Sequence, residues 1–164
     1  MNDRVAEVKT DTDGDLSVAQ RRFSTRPQVL DVTLTIALGG ALGAIARYGV
    51  STAWPHAPGG FPWATFTIDV AGCLLIGALM VVLTEVAGRP HRLVRPFLGV
   101  GILGGFTTFS TYTVEVQRLI AGGHPFLASA YLFGTVGAAL VAVQIGIIAA
   151  RLLTRPRTRK GTRP

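Results

Sequence analysis

The chain has 164 residues, of which 49% are hydrophobic and only 15% are charged, and its formal net charge is +7. Because the charges concentrate at the two ends and in one internal loop, the composition indicates one small domain whose solvent is the lipid bilayer. The single cysteine, Cys73, excludes an intramolecular disulfide.

Four apolar stretches are long enough to span a membrane: residues 32–50 interrupted by Arg47, 63–83 interrupted by Asp69, 96–114, and 125–150. Each can cross a hydrocarbon core of about 30 Å at a rise of 1.5 Å per residue. The stretches lack the alternating pattern of a transmembrane barrel. The sequence therefore predicts an all-α membrane protein with four transmembrane helices.

Three segments follow from this interpretation. Residues 1–29 are predicted to be a disordered cytoplasmic tail, since they mix acidic and basic side chains and contain no apolar centre of a secretory signal. Residues 30–153 form the four-span domain, and residues 154–164 form a basic cytoplasmic tail.

The basic residues predict the orientation of the chain. Fourteen of the 16 Lys and Arg residues lie in the N-terminal tail, in the second loop or in the C-terminal tail. In a four-span protein these segments share one side, and the positive-inside rule places that side, with both termini, in the cytoplasm. A basic tail can also bind nucleic acid, but topology already accounts for these cations, so we expect no nucleic-acid partner.

The first two spans carry charged side chains whose presence needs a structural or functional explanation. A central Arg or Asp raises the free energy of membrane insertion by about 2.5 to 3.5 kcal/mol on insertion scales. In the first span Gly39 and Gly43 form a GxxxG pattern, which predicts close approach to another helix, and Arg47 follows one turn later. Arg47 either snorkels to the interface near Trp54 or has a structural or anion-attracting role. In the second span, Asp69 lies on a face of small and polar residues that should meet protein or water.

Residues 99–112 of the third span contain four glycines, four Ser or Thr residues and three aromatic residues. Glycine weakens a helix by about 1 kcal/mol relative to Ala, and irregular backbone at membrane depth survives only inside protein or beside a wet cavity. This composition predicts a third helix that is broken for a functional purpose. In the fourth span Tyr131 and Thr135 lie one turn apart.

Hydroxyl donors, an arginine and the positive edges of aromatic rings together suit a small anion. The sequence has no metal-spaced His or Cys pair, no phosphate-binding loop and no nucleophile elbow. We therefore do not expect an enzyme.

Three segments resemble the fluoride-channel family called Fluc or CrcB: GALGAIARY at residues 40–48, TFTIDVAG at 65–72 and GGFTTFSTY at 104–112. The resemblance extends over residues 33–152, and the third segment is its most specific part. It implies a passive fluoride channel in the bacterial plasma membrane that needs no nucleotide.

The resemblance also implies an antiparallel dimer of four-helix subunits with two fluoride pathways and a structural sodium ion at the centre of the interface. It places the sodium ligands on the main-chain carbonyls of Gly104 and Thr107. The pathway residues that it implies are Arg47, Asp69, Phe109, Ser110, Thr111, Tyr112, Glu115, Tyr131 and Thr135.

Two positions depart from the family's pattern, which usually has Asn at Asp69 and Phe at Tyr112. An amide can donate a hydrogen bond to fluoride, whereas an ionised carboxylate only accepts. Two negative charges about 4 Å apart repel by roughly 4 kcal/mol at an effective dielectric near 20. Three explanations stay open: burial keeps Asp69 protonated, Asp69 pairs with Arg47, or its pathway does not conduct.

A chain that forms an antiparallel dimer alone must insert both ways, which requires nearly balanced loop charge. This chain is biased, so we expect a related partner subunit of opposite bias, with a homodimer as the alternative. Two other functions stay open: a non-conducting structural subunit that completes a partner's pore, and a small proton-coupled exporter that uses Asp69 as its membrane carboxylate.

Overall fold

The computed structural model describes residues 28–57, 59–87 and 90–154, and for residues 3–27 it describes only a helical backbone. The helix containing the first span begins at Asp3. The side chains of the predicted N-terminal tail before residue 28 lie outside the described part, as do residues 155–164 of the predicted C-terminal tail. The disorder of residues 1–29 and the cytoplasmic location of both tails stay predictions.

The described secondary structure is helical, with α-helices and stretches of wider π-helix. Its elements are α1 (Asp3–Ala53), α2 (Trp63–Val81), π1 (Val82–Val86), π2 (Arg95–Leu103), α3 (Gly104–Phe106), α4 (Phe109–Ala121) and α5 (Pro125–Thr154). Four stretches are long and apolar enough to cross a membrane: Gln28–Ala53, Trp63–Val86, Arg95–Ala121 and Pro125–Thr154. Each contains one predicted span, so the prediction of an all-helical protein with four membrane-spanning stretches is confirmed.

Glycines allow α1 to lie directly against π2 and α3, which are its main neighbours. A methyl group on Gly39 would lie 2.6 Å from the carbonyl oxygen of Phe97. A methyl group on Gly43 would overlap the carbonyl oxygen of Ile102. The two backbones therefore touch along the GxxxG face, as that pattern predicts.

The most extensive helix contact joins α2 and α5, and glycines again allow the two backbones to approach closely. A side chain on Gly77 would overlap the carbonyl oxygen of Val143, and one on Gly146 would overlap that of Leu74. Beside this pair, α4 packs on α5 through a buried cluster that includes Tyr112, Leu119, Ala128 and Tyr131.

The chain leaves the helical conformation between Phe106 and Phe109. Thr107 has φ −78° and ψ 157°, and Thr108 has φ −149° and ψ 111°, both in the extended region. The last carbonyls of α3 and the first N–H groups of α4 therefore need partners other than their usual helical ones. These partners position the candidate site.

Candidate functional site

The two threonines between α3 and α4 redirect backbone N–H groups away from the helix axis. The N–H of Thr108 donates to Oδ1 of Asp69 at 2.9 Å. The N–H of Thr111 donates to Oγ1 of Thr108 at 3.2 Å, which is an N-cap of α4. In a continuous helix these N–H groups would bond the carbonyls of Gly104 and Thr107. These two N–H groups therefore bond side chains instead of the carbonyl oxygens of Gly104 and Thr107.

Arg47 reaches from α1 to both sides of this interruption. Its Nε donates to the carbonyl oxygen of Gly105 at 3.3 Å, and its Nη1 lies 3.5 Å from Oγ1 of Thr111. The residue is half-buried. These contacts favour the structural or anion-attracting role of Arg47 over snorkelling to the interface, because the guanidinium bonds groups within the bundle.

The described residues form two ion pairs, Arg92 with Asp31 and Arg151 with Glu85. Both lie at the end of the bundle that contains residue 28 of α1 and residue 154 of α5. Asp69 is in neither pair, so the structure offers no support for its pairing with Arg47. Its carboxylate instead accepts the N–H of Thr108.

A second polar cluster surrounds the carboxylate of Glu115, which is 7% exposed. Thr65 donates its hydroxyl to Oε1 at 2.9 Å, and Tyr131 donates its hydroxyl to Oε2 at 2.7 Å. Each carboxylate oxygen therefore has a donor, from α2 on one side and α5 on the other.

A cavity of about 250 Å³ lies beside the interruption. Its lining residues are Asp69, Cys73, Thr107, Thr108, Phe109, Tyr112, Thr135, Val136 and Ala139. The hydroxyl of Thr135 is buried and has no hydrogen-bond partner among the described residues. An orphaned buried hydroxyl costs about 1 to 3 kcal/mol, so this cavity favours an occupant that can accept a hydrogen bond.

Two aromatic rings border the cavity, with centroids 5.8 Å apart. Tyr112 is 5% exposed, and its hydroxyl donates to the carbonyl oxygen of Leu132 at 2.6 Å. Phe109 is 79% exposed. The extra hydroxyl of Tyr112 is therefore taken up by the backbone of α5, while the ring stays beside the cavity.

The predicted site residues fall into three neighbouring groups. Asp69, Thr107, Phe109, Tyr112 and Thr135 line the cavity. Ser110 is exposed, and its Oγ lies 3.2 Å from Oγ1 of Thr108, which also donates to Thr111 at 3.1 Å. Arg47 and Gly104 belong with this group at the interruption.

The third group is Glu115 with Tyr131. Glu115 lines a second cavity of about 450 Å³, together with His56, Arg118 and glycines of the first and third loops. The ring of Tyr131 lies 5.2 Å from that of Tyr112, centroid to centroid. Tyr112, which lines the first cavity, thus contacts Tyr131, which bonds the Glu115 carboxylate of the second.

Sequence reasoning left Thr65 and Thr108 out of the site. Both carried a local signal: Thr65 lies one turn before Asp69 on α2, and Thr108 precedes Thr111 by three residues, the spacing of a helix N-cap. Their partners Glu115 and Asp69 are 50 and 39 residues away. Such distant pairings are not encoded in local spacing.

Comparison with known proteins gives a consistent set of similar chains. The family model described as CrcB-like protein, Camphor Resistance (CrcB), matches residues 34–147. A Nocardia farcinica protein named fluoride-specific ion channel FluC 2 is 56% identical over 123 residues, which are 75% of this chain and 87% of that protein. Fluoride-specific ion channel FluC 1 of Streptomyces coelicolor is 51% identical over 142 residues, 86% of this chain and 90% of its own length. The matched residues contain both cavities' buried polar groups.

Proposed function

The chain belongs to the CrcB-like family, and we propose that it is a fluoride-selective passive channel that lets fluoride leave the cytoplasm and so lowers its toxicity. The observation that carries the proposal is the buried, unpartnered hydroxyl of Thr135 in a cavity bordered by Phe109 and Tyr112. The role that we propose is transport rather than catalysis, and the relatives' names, which are those of fluoride-specific ion channels, support it.

The cavity offers what a small, strongly hydrated anion needs when it loses water. A hydroxyl donates a hydrogen bond to the anion, and the edges of aromatic rings carry partial positive charge. Thr107 and Thr108 add polar groups to the lining, and Cys73, Val136 and Ala139 are weakly polar or apolar. The carboxylate of Asp69 also borders the cavity and, when ionised, opposes an anion there. A small anion finds few hydrogen-bond donors in the bilayer, and this cavity supplies a hydroxyl donor and aromatic ring edges.

The test is fluoride efflux from liposomes, followed with a fluoride electrode, for the Thr135→Val variant. Valine keeps the shape of threonine and removes the hydroxyl, so we expect at least a tenfold lower fluoride flux with no loss of thermal stability. Thr33→Val is the matched control, because Thr33 is exposed and its hydroxyl bonds only back to the carbonyl of Val29. Equal fluxes for the two variants would contradict the proposal.

The assembly that we propose is an antiparallel dimer with a broken third span at its centre. Gly104 is exposed and nothing lies within 4 Å of the position that its side chain would occupy. The carbonyls of Gly104 and Thr107 have lost their usual helical donors to Asp69 and Thr108. Carbonyl oxygens that have lost their usual helical donors fit a hard cation, which prefers oxygen ligands.

In that assembly the carbonyls of Gly104 and Thr107 would hold a structural sodium ion that is not transported. Its contribution is positive charge at the junction of the two chains. We expect a higher melting temperature in sodium chloride than in N-methylglucamine chloride at equal ionic strength. Equal melting temperatures would count against a sodium site.

A second candidate function is a structural subunit that completes the pore of a related partner. The observation that favours it is Asp69, whose carboxylate borders the cavity with no basic partner among the described residues. The charge bias of the loops favours the same pairing, since a biased chain inserts mainly one way. Flux only from the mixture of both subunits would support this role, and equal flux from this chain alone would exclude it.

The orientation that we propose places both termini in the cytoplasm of a bacterial cell. A cysteine introduced at position 56, in a chain whose Cys73 is replaced by alanine, tests it. We expect a membrane-impermeant thiol reagent to label this cysteine from outside the cell. Labelling only after the inner face is opened would reverse the orientation.

A further inference from the structure

A second surface feature, separate from the fluoride site, is an apolar groove of about 300 Å³. It lies between the second half of α2, π1 and π2, and it is lined by Leu75, Ala78, Leu79, Val82, Leu98, Ile102 and Leu103. Leu75 is 49% exposed and Val82 is 40% exposed. The groove therefore opens to the surroundings of the bundle, which in a membrane are acyl chains.

Arg95 lies beside this groove. It begins π2, three residues before the lining residue Leu98. Its Nη2 is 3.7 Å from Sδ of Met80, which follows the lining residue Leu79 in α2. The guanidinium thus bridges from π2 to α2 next to the lining residue Leu79.

The charge of Arg95 is available to an anion. Two other described arginines at this end of the bundle are paired with carboxylates: Arg92 with Asp31 at 2.9 Å, and Arg151 with Glu85 at 2.8 Å. Arg95 is exposed, and the side-chain contact described for it is with a thioether, a weak acceptor. Its guanidinium can therefore present further donors to a ligand.

We infer that this groove binds an anionic phospholipid, with an acyl chain along the apolar lining and the phosphate on the Arg95 guanidinium. A planar guanidinium matches phosphate with two parallel hydrogen bonds. Basic groups between helices at the membrane surface are known to hold anionic headgroups. The apolar length suits a chain rather than a compact ion: residues 75–82 of α2 rise about 10 Å. This site is independent of fluoride conduction.

Native mass spectrometry of the full, delipidated chain tests the inference. The protein is titrated with phosphatidylglycerol or with phosphatidylcholine of the same acyl chains, and the bound lipid is counted. We expect wild type to prefer phosphatidylglycerol. We expect Arg95→Ala to lower that preference about fivefold, the factor contributed by one basic residue near an anionic surface. Arg95→Lys should retain most of it.

Two further variants separate the headgroup from the groove. Val82→Trp fills the groove from an exposed position, so it should reduce the binding of both lipids while Arg95 stays in place. Arg92→Ala makes the same change of charge at the same end, but at an arginine already paired with Asp31. It should leave the preference within about twofold of wild type.

Several results would overturn the inference. They are equal binding of the two lipids by wild type, an Arg95→Ala variant that behaves as wild type, and an Arg92→Ala variant that loses as much as Arg95→Ala. The last would reduce the effect to general surface charge. A Val82→Trp variant that dissociates the dimer without changing lipid binding would show that a second copy of the chain covers the groove.

Discussion

Replacing Asp69 with asparagine tests how the carboxylate beside the cavity affects fluoride. A fluoride ion in the cavity about 4 Å from an ionised carboxylate is repelled by roughly 4 kcal/mol at an effective dielectric near 20, which is about a thousandfold in occupancy. In the wild type the N–H of Thr108 bonds Oδ1 of Asp69 at 2.9 Å. The amide of asparagine keeps an oxygen that can accept this bond and adds an NH₂ donor. We therefore expect Asp69→Asn to raise the fluoride flux by up to about a thousandfold without destabilising the fold.

The assay is electrode-monitored fluoride efflux from liposomes that contain matched amounts of wild type, Asp69→Asn and Asp31→Asn. The last is the control, because Asp31 is an exposed partner of Arg92 and does not line the cavity. A folded Asp69→Asn variant with the wild-type rate would refute the reasoning. It would mean that the carboxylate carries no charge in the protein or that fluoride does not pass near it.

Two predictions concern packing and the buried carboxylate. Gly43→Val places a side chain against the carbonyl oxygen of Ile102, so we expect a loss of at least about 1 to 3 kcal/mol from overpacking and a lower melting temperature in detergent. Gly49→Ala, which meets nothing within 4 Å, should melt as wild type does, and equal losses in both variants would show that the contact is unimportant. Tyr131→Phe removes a donor from Glu115 and should cost about 1 to 3 kcal/mol; an unchanged melting curve would mean that the 2.7 Å bond contributes no net stability.

The four spans were predictable because each depends on local composition. Apolar runs gave spans that lie within the observed helical stretches, and the Gly39 and Gly43 spacing gave the face of α1 that touches π2. Helical spacing indicated Asp69 and Thr135, the resemblance to the channel family implied Phe109 and Tyr112, and these four line one cavity. These features are local because backbone geometry sets helical spacing.

The partners of the polar groups were not predictable from the sequence alone. Arg47 bonds the carbonyl of Gly105, which is 58 residues away, rather than Asp69. Glu115 receives hydroxyls from two different helices. Such pairings depend on how the helices pack, and no spacing along the chain specifies that. The sodium ion and the partner subunit stay predictions for a related reason, since main-chain ligands and interfaces leave no side-chain pattern.

The comparison of fluoride and chloride release from liposomes containing only this chain tests the central claim most directly. A potassium ionophore is added to vesicles loaded with both salts, and the release of each anion is followed with its own electrode. If the cavity at Thr135 conducts fluoride selectively, fluoride leaves faster than from protein-free vesicles while chloride stays inside. Release of both anions at similar rates would contradict the account, and release of neither from vesicles shown to contain folded protein would contradict conduction by this chain alone.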